Sequence, residues 1–152
     1  MSVLAEFDQI RAHLSAPGQP FEFRATLTRL EEGLDTLHRS VELLRDQTGR
    51  TVDDLSLVLF ESALAEIGAN VLRYGHRTGR AVEVRYDLKL EGDTLTALFA
   101  DSGPPLHNQL TRAMPSPTSE AGRGLAIARK VLDELGYQRD GEVNTWRLVK
   151  RL

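Results

Sequence analysis

With 152 residues, the chain is long enough for one domain with a proper core and too short for two comfortable ones. Its 41% hydrophobic and 27% charged residues are ordinary for a globular domain and argue against wholesale disorder. A formal net charge of -3 argues against a partner of direct nucleic acid, because phosphate neutralisation needs clustered Lys and Arg; the lack of cysteine removes disulfides, thiolate nucleophiles and cysteine-based metal sites.

In chain order, residues 1–15 carry the pattern of a short amphipathic helix, without the features of a signal peptide. The longest apolar runs, such as "LSLVLF" at 55–60, fall far short of a membrane span, so the expectation is a cytoplasmic protein with no membrane contact. "SAPGQP" breaks the chain before "FEFRATL", whose alternation predicts a strand. From Thr28, the steps of four and three between Leu30, Leu34, Leu37, Val41 and Leu44 predict a helix ending near "QTG", with a capping box of Thr28 and Glu31. A second helix follows "RTVDD", where Thr51 can cap and Asp54 complements exposed amide groups. It should run to about Tyr74 before Gly75, with Leu57, Phe60, Leu64, Ile67, Val71 and Tyr74 as its apolar stripe. "VEVRYDLKL" and "TLTALFAD" alternate with period two around "EGD" and predict an antiparallel hairpin whose outer face carries Glu83, Arg85, Asp87 and Lys89. A long Pro-, Ser- and Thr-rich connection leads to a third helix over "RGLAIARKVLDELG" and, after the turn residues Asp140 and Gly141, a closing strand over "EVNTWRLVKRL". This order predicts a two-layer α+β sandwich, with helices on one face of a largely antiparallel sheet.

Chemistry concentrates in three places. On the second helix, positions 66, 70 and 73 lie within roughly 60° of one another. Glu66, Asn70 and Arg73 therefore share a face, beside the small residues Ser62, Ala63 and Ala69. A carboxylate, an amide and a guanidinium could supply a base, an oxygen ligand for a hard cation and a phosphate partner; the same row could also be a solvated helix edge. "FADSG" sets Asp101 and Gly103 just past a strand end, where an acceptor and a bare backbone can approach a planar ligand, or simply form a turn. "AGRGLA" puts Gly122 and Gly124 at a helix start, where free amide groups favour phosphate. No Walker A spacing occurs, and no Rossmann strand precedes the glycines.

Glu-x-x-x-Asn on a helix, Asp-x-Gly after a hairpin strand and Gly-x-Gly opening a helix, in that order, resemble the GHKL (histidine-kinase-like) ATPases over about residues 21–152. The "RATLTRLEEGLDTLHRSVELL" opening and "NTWRLVKRL" ending are most similar to the bacterial anti-sigma factor serine/threonine kinases. The resemblance implies an α+β two-layer sandwich of the GHKL/Bergerat ATP-binding type on a mixed, largely antiparallel sheet. It divides the chain into an N-terminal extension, 1–20, and an ATP-binding kinase domain, 21–152, with a lid at about 104–121. It further implies ATP and Mg²⁺, with Glu66 as general base, Asn70 as Mg²⁺ ligand, Arg73 as a phosphate contact, and Asp101 and Gly103 at adenine. Gly122, Arg123 and Gly124 would wrap phosphates, and Thr145 would close the adenine pocket. The implied partners are an anti-anti-sigma (STAS-type) protein as substrate and a sigma factor or analogous regulator; whether two copies form a homodimer is left open. A nucleotide-responsive binding module and the ATP-binding domain of a split histidine kinase are the alternatives. Tyr74 and Asn144 depart from the kinase pattern, which more often has His and Gly there. The four histidines, His38 included, read as incidental.

Overall fold

The computed structural model describes residues 11–13, 20–50, 54–76, 83–103 and 120–152, with backbone alone at 11–13, 74–76 and 120–123. Its elements are β1 (Arg11–His13), β2 (Phe21–Leu27), α1 (Leu30–Thr48), α2 (Leu55–His76), β3 (Val84–Glu91), β4 (Thr94–Asp101), α3 (Glu120–Val131), β5 (Glu134–Asp140) and β6 (Val143–Arg151).

The strands form one six-stranded sheet in the order β1-β2-β3-β4-β6-β5. Every neighbouring pair among the described strands is antiparallel, which bears out the largely antiparallel sheet of the α+β expectation. The chain leaves β4 through α3, delivers β5 to the edge and folds β6 back between β5 and β4, so each neighbour runs opposite. Alternation decides which face the helices cover. Phe21, Phe23 and Leu27 on β2, Val84, Tyr86 and Leu88 on β3, and Leu95, Ala97 and Phe99 on β4 are buried, while their sequence neighbours point away. Each fully buried Phe or Leu contributes on the order of 1.5–3 kcal/mol relative to exposure. Between α1 and the sheet a polar pair sits inside this core: Tyr86 Oη and Ser40 Oγ are 2.8 Å apart, and Ser40 also donates to Leu37 O at 2.6 Å.

The helices form where the periodicity predicts, with different ends. In α1 the N-cap is Arg29, without a side-chain cap bond, so Thr28 sits one residue too early for the expected capping box. Glu31 and Glu32 in the first turn complement the helix dipole instead. Gly49, at φ 72°, ends the helix in the left-handed conformation that glycine adopts without strain. In α2, Asp54 accepts the Leu57 amide at 3.3 Å; such a cap contributes about 1 kcal/mol. Thr51, the other expected cap, lies outside the described residues. The helix continues past Gly75 to His76, because one glycine costs only about 1 kcal/mol in a helix.

By length and hydropathy alone Leu55–Arg73 could pass for a membrane span, which the short apolar runs did not suggest; half of it is buried inside the domain. Two further expectations are corrected. Arg11–His13, inside the expected N-terminal helix, is an edge strand pairing with β2. The third helix stops at Val131, and Glu134–Asp140 is a strand. Asp133 explains the stop: its amide donates to Val149 O at 2.9 Å and its carboxylate accepts the Arg151 amide at 2.6 Å, which draws the chain into the sheet.

Candidate functional site

On α2 the Glu66 and Asn70 side chains are half-buried and Arg73 is exposed, so the polar row climbs from the packed side of the helix to solvent. Gly68, between Glu66 and Asn70, lies against the sheet: a β-carbon there would stand 3.3 Å from Phe99 Cζ. Phe99 and Asp101 share a face of β4, two residues apart. The α2 row and the end of β4 are thus carried on elements in direct contact.

The second meeting is between α2 and α3. Gly124 is buried, and a β-carbon on it would come within 3.0 Å of the Glu66 carboxyl carbon. Only glycine lets the α3 backbone lie on this carboxylate. α3 begins at Glu120, so Gly122 and Arg123 fall in its first turn, where helical amide groups lack a partner within the helix, while Gly124 lies just past that turn. The Arg123 side chain, and residues 104–119 of the expected lid, lie outside the described residues.

Asp101 is 8% exposed. Its Oδ1 accepts the Gly103 amide at 2.8 Å and Asn144 Nδ2 at 3.1 Å. Its Oδ2 is buried and has no hydrogen-bond partner among the described residues. Leaving a carboxylate oxygen desolvated and unpaired costs free energy, so this atom marks where a donor belongs. An exocyclic amine fits it. Gly103 follows closely enough that a β-carbon would sit 2.9 Å from Asp101 Oδ1, so a side chain there would crowd the acceptor. Among the described residues no group of three His, Asp or Glu side chains could hold a metal. A Mg²⁺ ion bound at Asn70 would therefore draw most of its oxygen ligands from phosphate and water, as Mg²⁺ at nucleotides commonly does.

Thr145 is not brought to this pocket. It pairs with Ala100, whereas Asp101 pairs with Asn144, and directly opposed residues share a face. The assignment of Thr145 to the adenine pocket is corrected: it lies on the far face of the sheet, and the side chain beside Asp101 is that of Asn144.

Sequence reasoning missed what Asn144 does. It is fully buried, and its amide links β4 to β5: Nδ2 donates to Asp101 Oδ1 and to Gly103 O at 3.0 Å, while Oδ1 accepts from Tyr137 Oη at 2.5 Å and Arg139 Nη1 at 3.0 Å. Arg139 also donates to Gly103 O at 2.9 Å. The signal was an Asn in the inward phase of a strand whose next inward positions are Trp146 and Leu148. Tyr137 and Arg139 went unread because β5 did. His38 is likewise not incidental: Nδ1 meets Glu61 at 2.5 Å, Nε2 meets Glu42 at 2.8 Å, and Arg45 holds the other Glu61 oxygen at 3.2 Å. These groups join the exposed sides of α1 and α2 and form no part of the pocket described above.

The family model of the histidine kinase-like ATPase domain matches residues 23–150. No curated protein shows significant similarity to the chain. The matched span contains Asp101 and Gly103 at the unpaired oxygen, Glu66 and Gly124 at the α2–α3 contact, and Asn70 one turn along α2 from Glu66. The chain belongs to the histidine kinase-like ATPase family and is an ATP-binding domain of the GHKL type.

Proposed function

We propose that the chain is an ATP- and Mg²⁺-dependent protein serine/threonine kinase of the anti-sigma type. It works in the cytoplasm, phosphorylates a Ser or Thr of an anti-anti-sigma (STAS-type) protein, and holds a sigma factor or analogous regulator. The observation that carries the transfer reading is the placement of the Glu66 carboxylate, half-buried, against the bare α3 backbone at Gly124 and one turn from Asn70. A module that only bound nucleotide would not need a base there. Phosphoryl transfer requires positioning, neutralisation of developing charge and a group to orient the nucleophile. Asp101 Oδ2 takes the adenine amine, and Asn70 would hold Mg²⁺, which would neutralise phosphate charge. Glu66 accepts the proton of the acceptor hydroxyl as that oxygen bonds to the γ-phosphorus. The bond from phosphorus to the β–γ bridging oxygen breaks, and ADP leaves.

The test is transfer of γ-labelled phosphate to a STAS-type protein, followed by acid treatment. An acid-stable Ser or Thr phosphoester is expected; an acid-labile product would point to histidine-kinase chemistry. Glu66→Gln should keep ATP affinity and lose about 10²–10⁴-fold in transfer rate. Equal rates in wild type and variant would remove Glu66 from this role.

A further inference from the structure

The buried Asn144 amide beside Asp101 carries a role that the nucleotide reading leaves unassigned. An Asn side chain has two donor hydrogens and an acceptor oxygen with two lone pairs, and in Asn144 all four are used. This fixes which way the amide faces. Tyr137 and Arg139 both present donors, so the oxygen must lie toward them and the NH₂ group toward Asp101 and Gly103 O. That NH₂, with the Gly103 amide, loads Asp101 Oδ1 with two donors. The carboxylate is then held against rotation, and Oδ2 is left as the one oxygen with unspent acceptor capacity.

Resting on the nucleotide reading above, we propose that Asn144, held by Tyr137 and Arg139, is the positioning residue that aims Asp101 Oδ2 at the 6-amino group of a purine nucleoside triphosphate and so sets the preference for a 6-aminopurine. A purine without that amine leaves Oδ2 unpaired. A 6-oxo purine sets one acceptor against another. Sites built to bond a polar group reject analogues that lack it much more strongly than apolar pockets reject a missing methylene. Without Asn144 the carboxylate can turn, Oδ1 has a free lone pair, and the penalty for the missing amine shrinks.

The experiment uses the full chain with Mg²⁺ and compares affinity for a non-hydrolysable ATP analogue with that for the matching purine riboside analogue, which has hydrogen at position 6. Wild type should favour the amine by roughly tenfold or more. In Asn144→Ala the ratio should fall to within about threefold, with affinity for the purine riboside analogue little changed. Tyr137→Phe removes one donor and keeps the ring that stands 5.1 Å from Trp146, so it should give an intermediate ratio and decides the matter if the alanine variant does not fold. A ratio that stays at its wild-type value in both variants, or an equal loss for both nucleotides, would overturn the positioning role while leaving the nucleotide site standing. Equal affinity of wild type for the two analogues would overturn the reading of Asp101. Binding of neither would overturn the nucleotide site itself.

Discussion

Gly124 makes the sharpest demand on a single residue. A methyl group added there would press on the Glu66 carboxylate, its β-carbon lying 3.0 Å from the carboxyl carbon. The carboxylate is the mobile end of a flexible chain, so it should swing aside rather than disrupt α3, and alanine is the better helix former by about 1 kcal/mol. Gly124→Ala should therefore keep or slightly raise the melting temperature while transfer falls by up to about 10²-fold, because the proposed base, Glu66, is misplaced. A melt and a transfer assay on the same preparation check this; unchanged transfer would sink the assigned contact. The positions of Glu66, Asn70, Asp101 and Gly124 could be read because each sits at the end or on the face of an element whose period is plain, but only their joint order, and the resemblance it carries, singled them out. Thr145 misled because a one-residue change of register moves a strand side chain to the other face. Only the pairing of β4 with β6 shows that Asn144 faces Asp101.

Between elements, close packing and one ionic cluster hold α1 to α2. A β-carbon on Gly68 would stand 2.5 Å from Leu37 Cδ1 and 3.3 Å from Phe99 Cζ, and both partners are core residues without room to retreat. Overpacking of this kind costs about 1–3 kcal/mol, more than the propensity that alanine gains. Gly68→Ala should lower stability by about 1–2 kcal/mol in urea unfolding; an unchanged midpoint would contradict the tight crossing of α2 over the sheet. His38 links the two helices through charge. Its hydrogen bond to Glu61 is the largest cause raising its pKa above the ordinary 6.5, the Glu61 and Glu42 charges add to this, and burial opposes it. A folded pKa above the unfolded one gives stability that is fully present below about 6.5 and fades as pH rises through the raised value. With the ring 60% exposed, solvent screening keeps the effect small. From about pH 6 to about pH 8 wild type should lose more of its urea midpoint than His38→Gln; parallel slopes would show that the cluster does not couple to folding. Helix positions were readable because stripes such as Leu57, Phe60, Leu64 and Ile67 match one face. The third helix was overrun because Leu132 and Leu135 continue its period, although Leu135 belongs to β5.

At the scale of the molecule, the α+β layering followed from the order of periodic segments, while the strand order did not. Putting β6 between β4 and β5 depends on recognising β5, and the turn residues Asp140 and Gly141 were its only local sign. That order sets Asn144 beside Asp101 at the end of β4, while α3 brings Gly124 onto Glu66. The central claim is that these parts together bind Mg²⁺ and ATP. Calorimetric titration of the purified chain with a non-hydrolysable ATP analogue, with and without Mg²⁺, tests it most directly, alongside Asn70→Ala. Saturable binding is expected, strengthened by Mg²⁺ and lost in Asn70→Ala without unfolding. Absence of binding at millimolar ligand, or an Asn70→Ala variant that binds the Mg²⁺ complex as wild type does, would contradict it.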